Sequence, residues 1–180
     1  PFSETDGYFE RKAVNDLPMD GRRDFDATAM DIDLAGEGSF YYSFALRLNG
    51  NDDEITSMCG LRDSQTGQTL LAGVESGSWR ISGAAGTADG FAASVNRTFF
   101  VVVRIDSSGL HDDVVWMKIY NSAFDAVHQS DLQLSGIGSG VNQWTLMSSA
   151  ATSGNFNQLF LYAGGNRSFF STSLAELDEI

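Results

Sequence analysis

Apolar and polar residues alternate most clearly over residues 99–120, FFVVVRIDSSGLHDDVVWMKIY. Phe99, Val101, Val103 and Ile105 alternate with Phe100, Val102, Arg104 and Asp106; Val115, Met117 and Ile119 alternate with Trp116, Lys118 and Tyr120. A period of two is the pattern of a strand with one buried face. The polar run from Asp106 to Asp113 supplies turn chemistry, so the stretch predicts a hairpin. Residues 40–48 repeat the pattern, with Phe40, Tyr42, Phe44, Leu46 and Leu48 alternating with Tyr41, Ser43, Ala45 and Arg47.

Shorter strands are predicted over residues 27–34, 55–62, 69–74 and 78–82, around Trp144 and Leu146, and over 157–163. Tyr8 and Phe9 fit an edge strand in an otherwise irregular stretch, in which Leu17-Pro-Met-Asp-Gly reads as a loop. The Ala/Gly-rich residues 83–94 read as a surface loop, and residues 125–140 as a polar connection. Turn residues recur between the strands, and helix-period segments are almost absent. The pattern predicts an all-β, antiparallel jelly-roll β-sandwich over residues 27–180, preceded by an irregular segment at 1–26. With 180 residues, a chain of this kind buries roughly 70% of its unfolded surface without needing disulfides.

The single cysteine, Cys59, excludes an intrachain bridge and a cysteine-rich zinc site, and reads as a small buried hydrophobe. A net charge of −13 argues against nucleic acid and anionic membrane as partners. No apolar run approaches the about 20 residues of a membrane-spanning helix. A start at Pro1 and an end at Ile180, inside an apolar pattern, predict a processed or trimmed product.

FFVVVRID at residues 99–106, DVVWMKIYN at 113–121 and LAELDEI at 174–180 resemble the strand motifs of concanavalin A-like (laminin G-like) jelly-roll modules. The strand at 40–48 takes the place of an early Tyr/Phe-rich strand of those modules. The resemblance is to modules of secreted or surface proteins of planctomycete-type bacteria. It implies a secreted or cell-surface location and a function among glycan binding, adhesion and surface attachment. It also implies that a structural calcium ion is an option, since calcium is frequent in this fold. Lectins, glycosidases and adhesion modules share the fold, so it does not select among them.

Candidate chemistry is sparse. Glycosidases of this fold place carboxylates as Glu-x-Asp-x-Glu on one strand face. Glu176 and Asp178 begin that spacing, but Ile180 stands in the third position and Glu179 falls on the opposite face. His111 and His128, the only histidines, fall in polar loops without metal-ligand spacing, and no nucleophile-elbow sequence is present. Oxygen ligands for calcium occur in Asn51-Asp52-Asp53-Glu54, in Asp106 with Asp112 and Asp113, and in Asp24, Asp26, Asp31 and Asp33. The reading of these residues as solvated turn acids stays ahead of a calcium site. Asn96-Arg-Thr and Asn166-Arg-Ser fit a glycosylation triplet that also arises by chance.

The strand parity carries the most functional content. If the Phe99 and Val115 series face the core, then Arg104, Trp116, Lys118 and Tyr120 share the other face. Tyr41 and Arg47 join them from residues 40–48, and Phe160 and Tyr162 from a later strand. Aromatic rings interleaved with Arg and Lys suit sugar binding, because rings cover the apolar faces of pyranoses while polar groups fix the hydroxyls. The same residues would also serve a face packed against a second layer or a long loop, or an interface, readings that together outweigh the sugar one because both sheets of a jelly roll are partly covered.

The expectation is therefore a non-catalytic extracellular module, with a glycan or a neighbouring surface protein as partner. One alternative is a self-assembling subunit of a surface layer or filament, joined by strand addition at its termini. A second is an atypical glycan-cleaving enzyme.

Overall fold

Fourteen strands order the described residues. The computed structural model describes residues 8–10, 19–24, 32–33, 37–48, 56–83, 86–94, 96–108, 113–120, 144–148, 155–156, 158–164 and 168–171. In chain order the strands are β1 (Tyr8–Glu10), β2 (Met19–Asp24), β3 (Ile32–Asp33), β4 (Glu37–Leu48), β5 (Thr56–Arg62), β6 (Thr69–Glu75) and β7 (Ser78–Gly83). They continue as β8 (Gly86–Ala92), β9 (Arg97–Ser108), β10 (Val114–Tyr120), β11 (Trp144–Ser148), β12 (Asn155–Phe156), β13 (Gln158–Gly164) and β14 (Ser168–Ser171).

They form two six-stranded sheets, ordered β1-β14-β4-β9-β10-β11 and β2-β13-β5-β6-β7-β8, plus a small β12-β3 pair. Every pairing is antiparallel. The chain passes repeatedly from one sheet to the other, so strands distant in sequence pair, as β4 with β9 and β13 with β5. This is the expected antiparallel jelly-roll sandwich.

The core lies between the sheets. The first contributes Tyr42, Phe44, Leu46 and Leu48 from β4, Phe99, Val101, Val103 and Ile105 from β9, and Val115, Met117 and Ile119 from β10. The second contributes Cys59, Leu61, Leu70, Ala72, Val74, Trp79 and Ile81. The Trp79 and Phe99 rings meet edge to face across the layers, with centroids 5.2 Å apart. The phenol of Tyr42 reaches the Cys59 carbonyl at 3.5 Å, and burial pushes its pKa well above that of a free tyrosine. Cys59 is buried and free, as its apolar context predicts.

Two local predictions fail. Of the loop predicted at residues 17–21, residues 19–21 belong to β2, which pairs with β13 through backbone groups, and Leu17 and Pro18 lie outside the described residues. Residues 86–92 form β8 rather than a surface loop, paired with β7. A Cβ at Gly90 would lie 3.0 Å from the Trp79 carbonyl oxygen, so a small residue fits that pairing. The polar run assigned to the hairpin turn is also partly strand, since β9 continues to Ser108. The readings at residues 109–112, 121–143 and 172–180, with His111, His128 and the LAELDEI stretch, lie outside the described residues.

Candidate functional site

Cross-strand register decides which outward residues meet. On the outer face of the first sheet, Tyr41 of β4 pairs with Arg104 of β9, which pairs with Trp116 of β10. Strands are spaced about 4.8 Å apart, so this row spans roughly 10 Å. The next rows are Ser39–Asp106–Val114 and Ser43–Val102–Lys118, followed by Ala45–Phe100–Tyr120 beyond them.

Asp106 organises the Tyr41 end of this face. Its Oδ1 accepts hydrogen bonds from Ser39 Oγ at 2.6 Å and from Arg104 Nε at 2.7 Å. Its Oδ2 accepts from the Trp116 indole Nε1 at 3.1 Å. Arg104 Nη2 also donates to Ser39 Oγ at 3.3 Å, and the guanidinium carbon sits 5.7 Å from the centroid of the Tyr41 ring. Position along the strands explains the geometry: Asp106 and Arg104 are two residues apart on one strand and therefore share a face. The ion pair is partly solvated, with side chains 19% exposed for Arg104 and 27% for Asp106. Ser39 is exposed, while Tyr41 and Trp116 are half-buried.

The Tyr41 phenol is held protonated. Partial burial raises its pKa, the Arg104 charge lowers it and Asp106 raises it, for a net upward shift. At neutral pH the cluster therefore offers a neutral hydroxyl, two half-exposed rings and a closed Arg–Asp pair.

The remaining predicted residues do not join this cluster. Lys118 and Tyr120 do share the outer face, but they are only 7% and 5% exposed. Lys118 Nζ lies 5.1 Å from the Tyr120 ring centroid, and Tyr120 packs against Phe100 at 6.0 Å. With Val102 buried between them, that half of the face is a closed layer rather than an open platform. Arg47 is exposed but lies six positions beyond Tyr41 along β4, about 20 Å at ~3.3 Å per residue. Tyr162 and Phe160 belong to β13, in the other sheet, where they pair with Met58 and Gly60 of β5. Their placement on the Trp116 face is therefore corrected: alternation orders residues within a strand and carries no information about which sheet the strand joins.

Ser39 and Asp106 were not expected at the site. The signal was present, because Asp106 has the parity of Arg104 and Ser39 that of Tyr41. It was obscured by the turn-like composition of both stretches. Among the described residues no group of three or more His, Cys, Asp or Glu side chains could hold a metal ion. Of the calcium candidates, Asp106 is engaged as above, and Asp113, 4% exposed, immediately precedes β10; Asn51, Asp52, Asp53, Glu54, Asp26, Asp31 and Asp112 lie outside the described residues.

No family model matches the chain, and no curated protein sequence matches it. Among solved structures it is similar to a sialidase, with a TM-score of 0.52 and 12% identity over 95% of this chain. The chain spans about 15% of the length of that sialidase. A second similarity, with a TM-score of 0.36 and 13% identity, is to the catalytic domain of a glycoside hydrolase family 131 protein from Coprinopsis cinerea. It covers 76% of this chain and 55% of that one. At such identities the sialidase match establishes the shared β-sandwich fold and nothing narrower.

Proposed function

We propose that this chain is a non-catalytic, secreted or cell-surface glycan-binding module of bacterial type, and that its site is the Tyr41–Arg104–Trp116 row with Ser39 and Asp106. The observation that carries this reading is the half-exposed Trp116 ring, fixed by its hydrogen bond to Asp106 in the same row as Tyr41. An aromatic side chain locked by packing and by a polar partner loses little entropy when a sugar ring covers it. The Tyr41 hydroxyl, Ser39 and the outer atoms of the ion pair supply donors and acceptors for sugar hydroxyls.

The donor set points away from a calcium-bridged sugar. The one carboxylate of the cluster already accepts three hydrogen bonds, one of them from a guanidinium that would repel a cation. Similarity of fold to a domain-sized part of a sialidase is compatible with a role among carbohydrate-active proteins. The test is binding of the purified chain to a broad polysaccharide panel, with calcium and again with chelator. The reading expects binding to at least one glycan that chelator leaves unchanged. Absence of binding across the panel would turn attention to protein partners and self-assembly.

A further inference from the structure

The Arg104 guanidinium is the cation of the candidate site, and it is already committed. Its Nε donates to the Asp106 carboxylate, its Nη2 to Ser39, and its guanidinium carbon lies over the Tyr41 ring. Of the other cations on this face, Lys118 is buried two residues further along β10, with its ammonium beside the Tyr120 ring, and Arg47 is exposed but lies six positions from Tyr41 along β4, about 20 Å away at ~3.3 Å per residue. Asp106 is the more exposed member of the ion pair, 27% against 19%, and Ser39 beside it is exposed. A ligand arriving at this end therefore meets a carboxylate before it meets an unneutralised positive charge. The chain as a whole carries a net charge of −13, which repels polyanions at longer range.

We infer that the site selects uncharged sugars and rejects carboxylated or sulfated ones, an inference that rests on the glycan-binding reading. Asp106 occupies the place on Arg104 that the carboxylate of an acidic sugar would otherwise take. An anionic sugar could reach the guanidinium only by displacing Asp106 or by lying beside it, and both are unfavourable between like charges at short range. A neutral pyranose faces neither penalty, since it needs only the Trp116 and Tyr41 surfaces and the outward lone pairs of Asp106.

The test uses matched pairs of oligosaccharides with the same linkage and different charge: cellohexaose with its C6-oxidised glucuronate counterpart, and β-1,4-mannohexaose with hexamannuronate. Calorimetric titration of the intact chain should give at least tenfold weaker binding for the acidic member of whichever pair binds. The neutral member's affinity should change less than twofold between 50 and 500 mM NaCl. Asp106→Asn, which leaves Arg104 without its counter-charge, should shrink that gap severalfold by improving the acidic member. Equal or tighter binding of the acidic sugar by the wild type would overturn the selectivity while leaving the glycan reading intact. Wild-type binding to neither member of both pairs, with none on the wider panel, would remove both. Because the wild-type comparison decides the matter by itself, a misfolded Asp106→Asn variant would not rescue the inference.

Discussion

Gly60 on β5 faces the backbone of β6, the other central strand of the second sheet, and replacing it tests the register on which the sheet depends. A Cβ built at Gly60 would lie 1.9 Å from the Leu70 carbonyl oxygen, 2.8 Å from Leu71 Cα and 2.9 Å from the Leu70 carbonyl carbon. Non-bonded heavy atoms sit comfortably at about 3.5–4.0 Å. All three obstacles are backbone, so no rotamer change relieves them. β5 and β6 must separate by more than about 1 Å, which stretches a ladder bond of ~2.9 Å past its useful range. Gly60 pairs with Leu71, and the neighbouring pair, Leu61 with Leu70, is fully buried. Losing one or two ladder bonds costs about 1 kcal/mol each, and forcing the buried pair apart costs about 1–2 kcal/mol more. Alanine gives back about 0.4–1 kcal/mol by restricting the unfolded chain. The net expectation for Gly60→Ala is a loss of about 2–3 kcal/mol. For a domain of this size that is a fall in Tm of roughly 5–10 °C. Gly38→Ala is the control, because its Cβ would meet only the Phe40 ring, at 3.7 and 3.8 Å, at an exposed position. It should stay within about 0.5 kcal/mol of the wild type. Urea and thermal unfolding of both variants measure the difference. A Gly60→Ala protein melting within about 2 °C of the wild type, or a Gly38→Ala protein just as damaged, would refute this account of the strand pair.

Two further outcomes follow from buried polar groups. Asp63 accepts hydrogen bonds from Thr66 Oγ1 at 2.6 Å and from the Gln65 and Thr66 amides at 2.7 and 3.2 Å, and these hold its carboxyl below the usual carboxylate range. Because the folded-state pKa is the lower one, this stabilisation is fully present above the unfolded value of about 3.9 and is lost as pH falls through the folded value. The stability advantage of the wild type over Asp63→Asn should therefore be largest near neutrality and shrink below about pH 4; an advantage constant down to pH 2 would contradict the hydrogen-bond assignment. Cys59 is 1% exposed and burial raises its thiol pKa, so it should react with an aromatic disulfide reagent at least about a hundredfold more slowly in the native chain than in denaturant; comparable rates would place the thiol outside the core.

The central hairpin was legible because its alternation is long and its two faces differ in chemistry. Val101, Val103, Ile105, Val115, Met117 and Ile119 are all fully buried on the side that alternation indicates. Alternation also put Tyr41, Arg104 and Trp116 on one face, and the register then set them in one row. Three things could not be read from the pattern. β2 and β8 are rich in Gly, Asp, Arg and Ala and carry no alternating apolar set, so no period-two pattern marks them as strands. Tyr162 lies in β13, whose sheet membership is set by long-range pairing with β5 and β2. Lys118 and Tyr120 lie on the predicted face, yet their burial depends on how that face is covered, which parity does not encode. Asp106 shows the converse case. Its neighbourhood looks like a turn, yet the strand runs on to Ser108 and aims the carboxylate at Arg104 and Trp116.

The most direct measurement is the affinity of wild type, Trp116→Ala and Trp116→Phe for the tightest-binding neutral glycan of the panel, with folding of each variant checked by its thermal melt. Removing an aromatic anchor at the centre of a site costs about 2 kcal/mol, so Trp116→Ala should bind roughly 30-fold more weakly. Trp116→Phe keeps a ring but loses the hydrogen bond to Asp106, and should fall between the two. Affinity unchanged in a folded Trp116→Ala protein would contradict the account and remove the Tyr41–Arg104–Trp116 row as the binding site.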